Sequence, residues 1–128
     1  MTNQTKKTET TEREFKKANG ILGTYTIDEN GLCNVQGSVY LMLEDLIKIP
    51  IPFGTVSGNF SCSKNYLTSL ENAPIKVGKN FWCYSNKLTT LKNAPKEVGG
   101  YFNCVNNSIG FTEEEVRTVC FVGENIYA

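Results

Sequence analysis

Apolar residues along this chain recur at two superposed periods, one of two residues and one of 21. The segment Phe60-Ser61-Cys62-Ser63-Lys64-Asn65-Tyr66-Leu67-Thr68-Ser69-Leu70 returns as Phe81-Trp82-Cys83-Tyr84-Ser85-Asn86-Lys87-Leu88-Thr89-Thr90-Leu91, and a truncated third copy starts at Phe102 with Cys104, Asn107 and Ile109. The short period predicts a strand at the head of each copy, because side chains alternate between its two sides. The long period predicts a solenoid: each unit is too small to bury its own apolar side and must stack on its neighbours. Function is then expected in the surface that the stack presents.

Within each copy the alternation places Phe60, Cys62, Phe81, Cys83, Phe102 and Cys104 inward, with Leu67, Leu88 and Ile109 beside them. Asn65, Asn86 and Asn107 follow the strands where the chain turns. A buried amide must be hydrogen-bonded, which predicts a ladder of Asn side chains tied to neighbouring backbone, with ligand binding as the alternative role. Stepping back from Phe60 and Cys62 lands on Val39 and Leu41. The stretch Val39 to Val56 reads as a degenerate first repeat in which Glu44 replaces the repeated Asn.

The ends read as caps. Residues 1–20 are rich in Thr, Lys and Glu, with Phe15 as the lone apolar anchor, and form a polar tail or a short helix around Glu12–Lys17. Tyr25 and Ile27 alternate with polar residues, Asn30-Gly31 signals a two-residue turn, and Cys33 and Val35 alternate beyond it. Residues 21–37 are therefore expected as a β-hairpin covering the N-terminal edge of the solenoid at 38–111. Thr112-Glu113-Glu114-Glu115 is a capping-box signature, so a C-terminal cap at 112–128 should hold a short helix from about Glu113 to Val119 and a closing strand at Ile126 and Tyr127.

The return half of each repeat carries Asn72-Ala73-Pro74 and Asn93-Ala94-Pro95, then Val77-Gly78 and Val98-Gly99. Proline disfavours helix at its own position and at the one before, so the outer side is expected to be extended or turn-like. These residues resemble leucine-rich repeats, with Phe and Cys at the first two apolar positions of the Leu-x-Leu-x-x-Asn-x-Leu pattern. The Leu-Thr-Ser/Thr-Leu…Pro…Val phrasing at 67–77 and 88–98 looks like the short bacterial subclass. More closely, Val56-Ser57-Gly58-Asn59-Phe60…Cys62…Asn65…Leu67-Thr68-Ser69-Leu70…Ala73-Pro74…Val77-Gly78, followed by Phe111-Thr112-Glu113-Glu114-Glu115-Val116-Arg117, is similar to small cysteine-containing repeat proteins of tailed bacteriophages and some bacteria. The resemblance covers roughly 24–127. It implies a leucine-rich-repeat-like, mainly β solenoid of three to four repeats and a phage or bacterial source.

Composition narrows the chemistry. The chain has 128 residues, 13 basic and 13 acidic side chains, and is expected to form one domain with one core. It has no histidine, which removes the usual general base, the imidazole-built triads and the commonest metal ligand. Of its five cysteines, three repeat in register, a pattern that fits free buried thiols in a reducing compartment better than a disulfide framework. Stacked about 5 Å apart, Cys62, Cys83 and Cys104 are expected as core packing rather than as a metal site, and no cofactor is implied. No apolar run approaches the roughly 18 residues of a membrane span and the N-terminus lacks an apolar signal segment, so a cytoplasmic protein is expected.

If the strands line a concave face, its solvent side carries Tyr40 and Met42, Ser61 and Ser63, Trp82 and Tyr84, Asn103 and Val105, with Lys64 at a strand end and Tyr101 opening the last strand. The only tryptophan is predicted to be exposed there. An uncovered row of this kind is costly, and Trp and Tyr dominate binding hot spots. The partner-binding residues are therefore expected to be Tyr40, Met42, Lys64, Trp82, Tyr84, Tyr101, Asn103 and Val105. The other reading has these residues covered by a terminal segment or a second copy of the chain.

Six lysines against two glutamates between Phe60 and Gly100 raise single-stranded nucleic acid as a partner, although most of these lysines fall on turns and the outer side. Acidic residues cluster only at Glu113–Glu115 and at Glu44 and Asp45, too sparsely for a DNA mimic. The expected function is a non-enzymatic protein-binding module. The phage resemblance suggests a host protein, such as a CRISPR-Cas component, bound and inhibited in the host cytoplasm. The alternatives are a virion structural or assembly role and a single-stranded nucleic-acid-binding module.

Overall fold

A computed structural model describes residues 11–128, in which helix α1 occupies 11–18. The strands are β1 (Ile21–Ile27), β2 (Cys33–Tyr40), β3 (Phe53–Val56), β4 (Phe60–Ser61), β5 (Lys76–Val77), β6 (Phe81–Trp82), β7 (Glu97–Val98) and β8 (Phe102–Asn103). Helix α2 (Glu113–Val119) precedes β9 (Phe121–Val122) and β10 (Ile126–Tyr127). The part of the expected tail that precedes residue 11 lies outside the described residues.

Strand β2 is the root of two parallel ladders. Its C-terminal half begins a front ladder β2-β4-β6-β8-β10, and its N-terminal half begins a back ladder β2-β3-β5-β7-β9. Each turn of the coil is thus one bent extended stretch, a back strand and then a front strand, and five such turns stack. The caps expected from the sequence each supply a rung: β2 of the hairpin is the first turn, and β9 with β10 is the fifth. Ile126 stacks on Phe102 and Val122 on Val98, a 24-residue step that makes room for α2.

The register is held by side-chain columns. Phe60, Phe81 and Phe102 lie over one another with ring centroids 5.8 and 5.1 Å apart, and Phe53 meets Phe60 edge-on at 5.2 Å. All four are fully buried, each contributing about 1.5–3 kcal/mol of transfer free energy. Val35, Val56, Val77, Val98 and Val122 form the matching buried column of the back ladder. Leu41, Cys62, Cys83 and Cys104 form a third, followed by Leu67 and Leu88. Ile109 departs from the expected inward set: it is 45% exposed, because the chain leaves the coil for α2 after it and no later turn covers it.

The turns are closed by amides. Asn86 donates from Nδ2 to the carbonyls of Cys62 and Cys83, and its Oδ1 accepts from Leu67 N–H. Asn65 and Asn107 repeat the arrangement one turn down and one turn up. The residue before each of these Asn turns left-handed, with φ of 56° at Lys64, 55° at Ser85 and 58° at Asn106, and Leu43, before the Glu44 that stands in the Asn position, has φ of 58°. Asn72 and Asn93, also left-handed, shape the return turns closed by Ala73 N–H to Leu70 O and Ala94 N–H to Leu91 O. No helix occurs between 41 and 112, as the prolines require.

A second amide ladder sits at the bend between the back and front strands. Ser38 Oγ accepts from Asn59 N–H, Asn59 Oδ1 from Asn80 N–H, and Asn80 Oδ1 from Tyr101 N–H, at 2.8–3.0 Å. Beside it the backbones approach so closely that a Cβ on Gly99 would lie 2.2 Å from Gly78 O.

At the N-terminal end β1 pairs antiparallel with β2, and α1 is pinned by Phe15 stacked on Tyr25 at 4.9 Å. The hairpin connection is a five-residue loop, 28–32, rather than the expected two-residue turn. Asp28 organises it by accepting from Asn30 N–H, Leu32 N–H and Asn34 Nδ2, bonds that hold its carboxyl below the usual range. At the C-terminal end the capping box forms as its sequence dictates: Thr112 Oγ1 accepts from Glu115 N–H, and Thr112 N–H donates to the Glu115 carboxylate.

Candidate interaction face

Strand alternation turns the front ladder's Phe and Cys columns inward and leaves two rows on its outer side. By register the first row runs Tyr40, Ser61, Trp82, Asn103, Tyr127. The second, two residues on, runs Met42, Ser63, Tyr84, Val105. Neighbouring turns there are tied by Lys64 N–H to Tyr84 O and Ser85 N–H to Val105 O.

Six of the eight residues expected to bind a partner come together in these rows. Tyr40 is exposed, whereas Met42, Trp82, Tyr84, Asn103 and Val105 are half-buried. Trp82 is therefore less accessible than expected. Its register neighbours, Ser61 and Asn103, are short, and a large ring beside short neighbours can lie against the ladder. Lys64 stands exposed at the left-handed corner beyond the rows. Tyr101 is not in either row: it belongs to the bend, where its N–H meets Asn80, and its ring packs edge-on against Tyr127 at 5.9 Å.

Ser61 and Ser63 depart from the expected solvent-facing positions. Both have 0% exposure although they point away from the core columns. The Tyr40 hydroxyl, one rung away, accepts from Asn59 Nδ2 at 3.0 Å. Ser61 Oγ receives Ser63 N–H at 3.4 Å, whereas Ser63 Oγ is buried with no hydrogen-bond partner.

Tyr127 extends the first row and was hidden from sequence reasoning by the 24-residue step. The bend ladder of Asn59 and Asn80 was legible in the 21-residue spacing but is not part of the repeated apolar phrase.

The thiols are chemically quiet. Burial pushes Cys62 up to about 12, and Cys104 and Cys120 up to about 11. Burial also raises Cys33, and it raises Cys83 well above its ordinary value, with Cys62 and Cys104 adding to that shift. Burial of this kind disfavours the thiolate, the form of a cysteine that acts as a nucleophile. Among the described residues no group of three or more Cys, Asp or Glu side chains is placed to hold a metal ion, and no helix is long and apolar enough to cross a membrane.

The lysines divide by face. Lys76 pairs with Glu97 across two rungs of the back ladder at 3.3 Å. Lys92 and Lys96 rim a cavity of about 650 Å³ between 89–96 and α2, floored by Leu91, Ala94 and Phe111. Lys64 and Lys87 share a corner cavity of about 420 Å³ with Asp45 and Tyr66. Lys64 alone directly follows an outer-row residue.

The chain matches no family model, no curated protein and no solved structure.

Proposed function

We propose that this chain is a non-catalytic binding module that engages another protein through the outer rows of its front ladder. The observation that carries this reading is the alignment of Tyr40, Trp82 and Tyr84, with Met42 and Val105, on one solvent-facing side of a rigid parallel ladder. Large amphipathic rings on a preorganised surface lose little side-chain entropy on binding and dominate protein interfaces. The chemistry of the rest of the chain agrees: it has no imidazole, its thiols are buried, and no carboxylates lie in the two rows.

The resemblance to phage repeat proteins supports the narrower reading of a host protein, such as a component of an anti-phage immune system, bound and inhibited in the host cytoplasm. That step is analogy of source and size. A second copy of the chain is the other protein partner this face fits. Single-stranded nucleic acid is less well served, because a single lysine borders the aromatic rows.

The test uses the tagged chain as bait in host lysate, in wild-type form and as Trp82→Ala/Tyr84→Ala, followed by calorimetry with the purified captured protein. The double variant should lose about 100-fold or more in affinity with an unchanged far-UV circular dichroism spectrum. Full affinity in that variant refutes the face. Light scattering of the bait alone separates self-association from capture of a second protein.

A further inference from the structure

The two ends of the coil treat their open strand edges differently. At the C-terminal end the ladders stop at β9 and β10, two residues each, too short to template another strand. At the N-terminal end the hairpin moves the edge from β2 to β1, seven residues long, whose only strand partner among the described residues is β2. Edge strands are ordinarily blunted by charge, proline or shortness, and β1, Ile21-Leu22-Gly23-Thr24-Tyr25-Thr26-Ile27, has none of these. Leu22 is 61% and Ile27 51% exposed, and Gly23, Thr24 and Thr26 are exposed between them.

The backbone of that edge is aimed outward. Gly20 O accepts from Tyr40 N–H and Asp28 N–H donates to Leu32 O, so by antiparallel alternation Leu22, Thr24 and Thr26 bond to β2. The N–H and C=O groups of Ile21, Gly23, Tyr25 and Ile27 therefore point away from β2. The side chains divide in the same rhythm: Ile21 and Tyr25 lie on the core side, opposite Val39 and Val35, and Leu22, Thr24 and Thr26 on the outer side. Charges lie only beyond the strand, Lys16 and Lys17 before it and Asp28 and Glu29 after it. Lys17 and Glu29 are exposed and belong to neither ion pair among the described residues.

We propose that β1 is the interface between two copies of this chain, paired antiparallel with itself about a two-fold axis at Thr24. In that register the whole strand is paired and every outward residue meets an outward residue, so the free edge groups are bonded: Ile21 faces Ile27 of the second copy, and Gly23 faces Tyr25, whose ring covers the glycine. Between them Leu22 faces Thr26 and Thr24 faces Thr24, and no like charges meet. The antiparallel sense also brings the Asp28-Glu29 end of each copy beside the Lys16-Lys17 end of the other, so the flanking charges attract, whereas a parallel pairing would set like ends together. A self-complementary contact of this kind closes as a dimer. It uses none of the front-ladder row residues and does not depend on what those rows bind.

Sedimentation equilibrium of the full chain from about 1 μM to about 1 mM reads the contact directly. The apparent mass should rise from 14.3 kDa toward twice that value. Thr24 is exposed, so Thr24→Lys and Thr24→Glu should each keep the far-UV circular dichroism spectrum while losing the dimer, because like charges then face each other at the axis. An equimolar mixture of the two variants should recover it. A wild-type chain that stays at the mass of one chain, a Thr24→Lys chain that dimerises like wild type, or a mixture that remains monomeric overturns the proposal. Trp82→Ala/Tyr84→Ala should dimerise as wild type does. Loss of the dimer in that variant, with retention in Thr24→Lys, places self-association on the front ladder and overturns the β1 contact alone.

Discussion

Asn86 Oδ1 accepts a hydrogen bond at 3.0 Å from the backbone N–H of Leu67, one turn back along the coil. The same side chain donates to the carbonyl of Cys62 on one turn and to those of Cys83 and Tyr84 on the next, so a single amide ties two turns together at that corner. Replacing it strands buried backbone groups, each costing about 1–3 kcal/mol. Asn86→Ala is expected to lower unfolding free energy in urea by about 3 kcal/mol or more. Asn107→Ala, at the less buried end of the ladder, should cost less than half as much; equal losses contradict a role set by burial.

Gly99 tests the close approach at the bend. Its missing Cβ would sit 2.2 Å from Gly78 O, a backbone atom that cannot rotate away, whereas a Cβ on Gly110 would meet nothing within 4 Å. Gly99→Ala should lower the thermal midpoint markedly, and Gly110→Ala should leave it nearly unchanged. A tolerated Gly99→Ala would mean that the turns can separate locally.

The buried thiols make stability fall in alkali. Their folded-state values lie above the ordinary thiol value, at about 12 for Cys62 and about 11 for Cys104 and Cys120. Above about pH 9 the unfolded chain therefore releases protons that the folded chain retains, which favours unfolding. Urea midpoints should decline from about pH 9 upward, and less steeply in Cys62→Ala/Cys83→Ala. At pH 8 an aromatic disulfide reagent should leave the native thiols largely unmodified and titrate five thiols once the chain is denatured.

Ser63→Ala removes the one buried hydroxyl among the described residues that lacks a partner. Its loss is expected to stabilise the fold by about 1 kcal/mol, because a desolvated polar group disappears and the space is unchanged. Differential scanning calorimetry should show a higher midpoint; a lower one means that the hydroxyl is bonded in solution.

Much of this molecule was legible from spacing alone. Phe60, Phe81 and Phe102 announce a column because one side chain recurring at a constant step can be buried only by lying over itself. The Asn ladder follows from the same step, since an amide repeated among apolar columns must be bonded to backbone. Thr112 and Glu115 identified their helix start because a capping box is a local interaction between residues three apart. What the spacing did not reveal depends on groups distant in sequence. Strand β2 serves both the hairpin and the coil because its two halves meet different partners. Tyr127 joins the row of Tyr40 and Trp82 only once α2 is accommodated in the last turn. Ser61 and Ser63 point outward as alternation requires, yet they are buried, because solvent access to a small side chain is decided by the larger ones that stacking sets beside it.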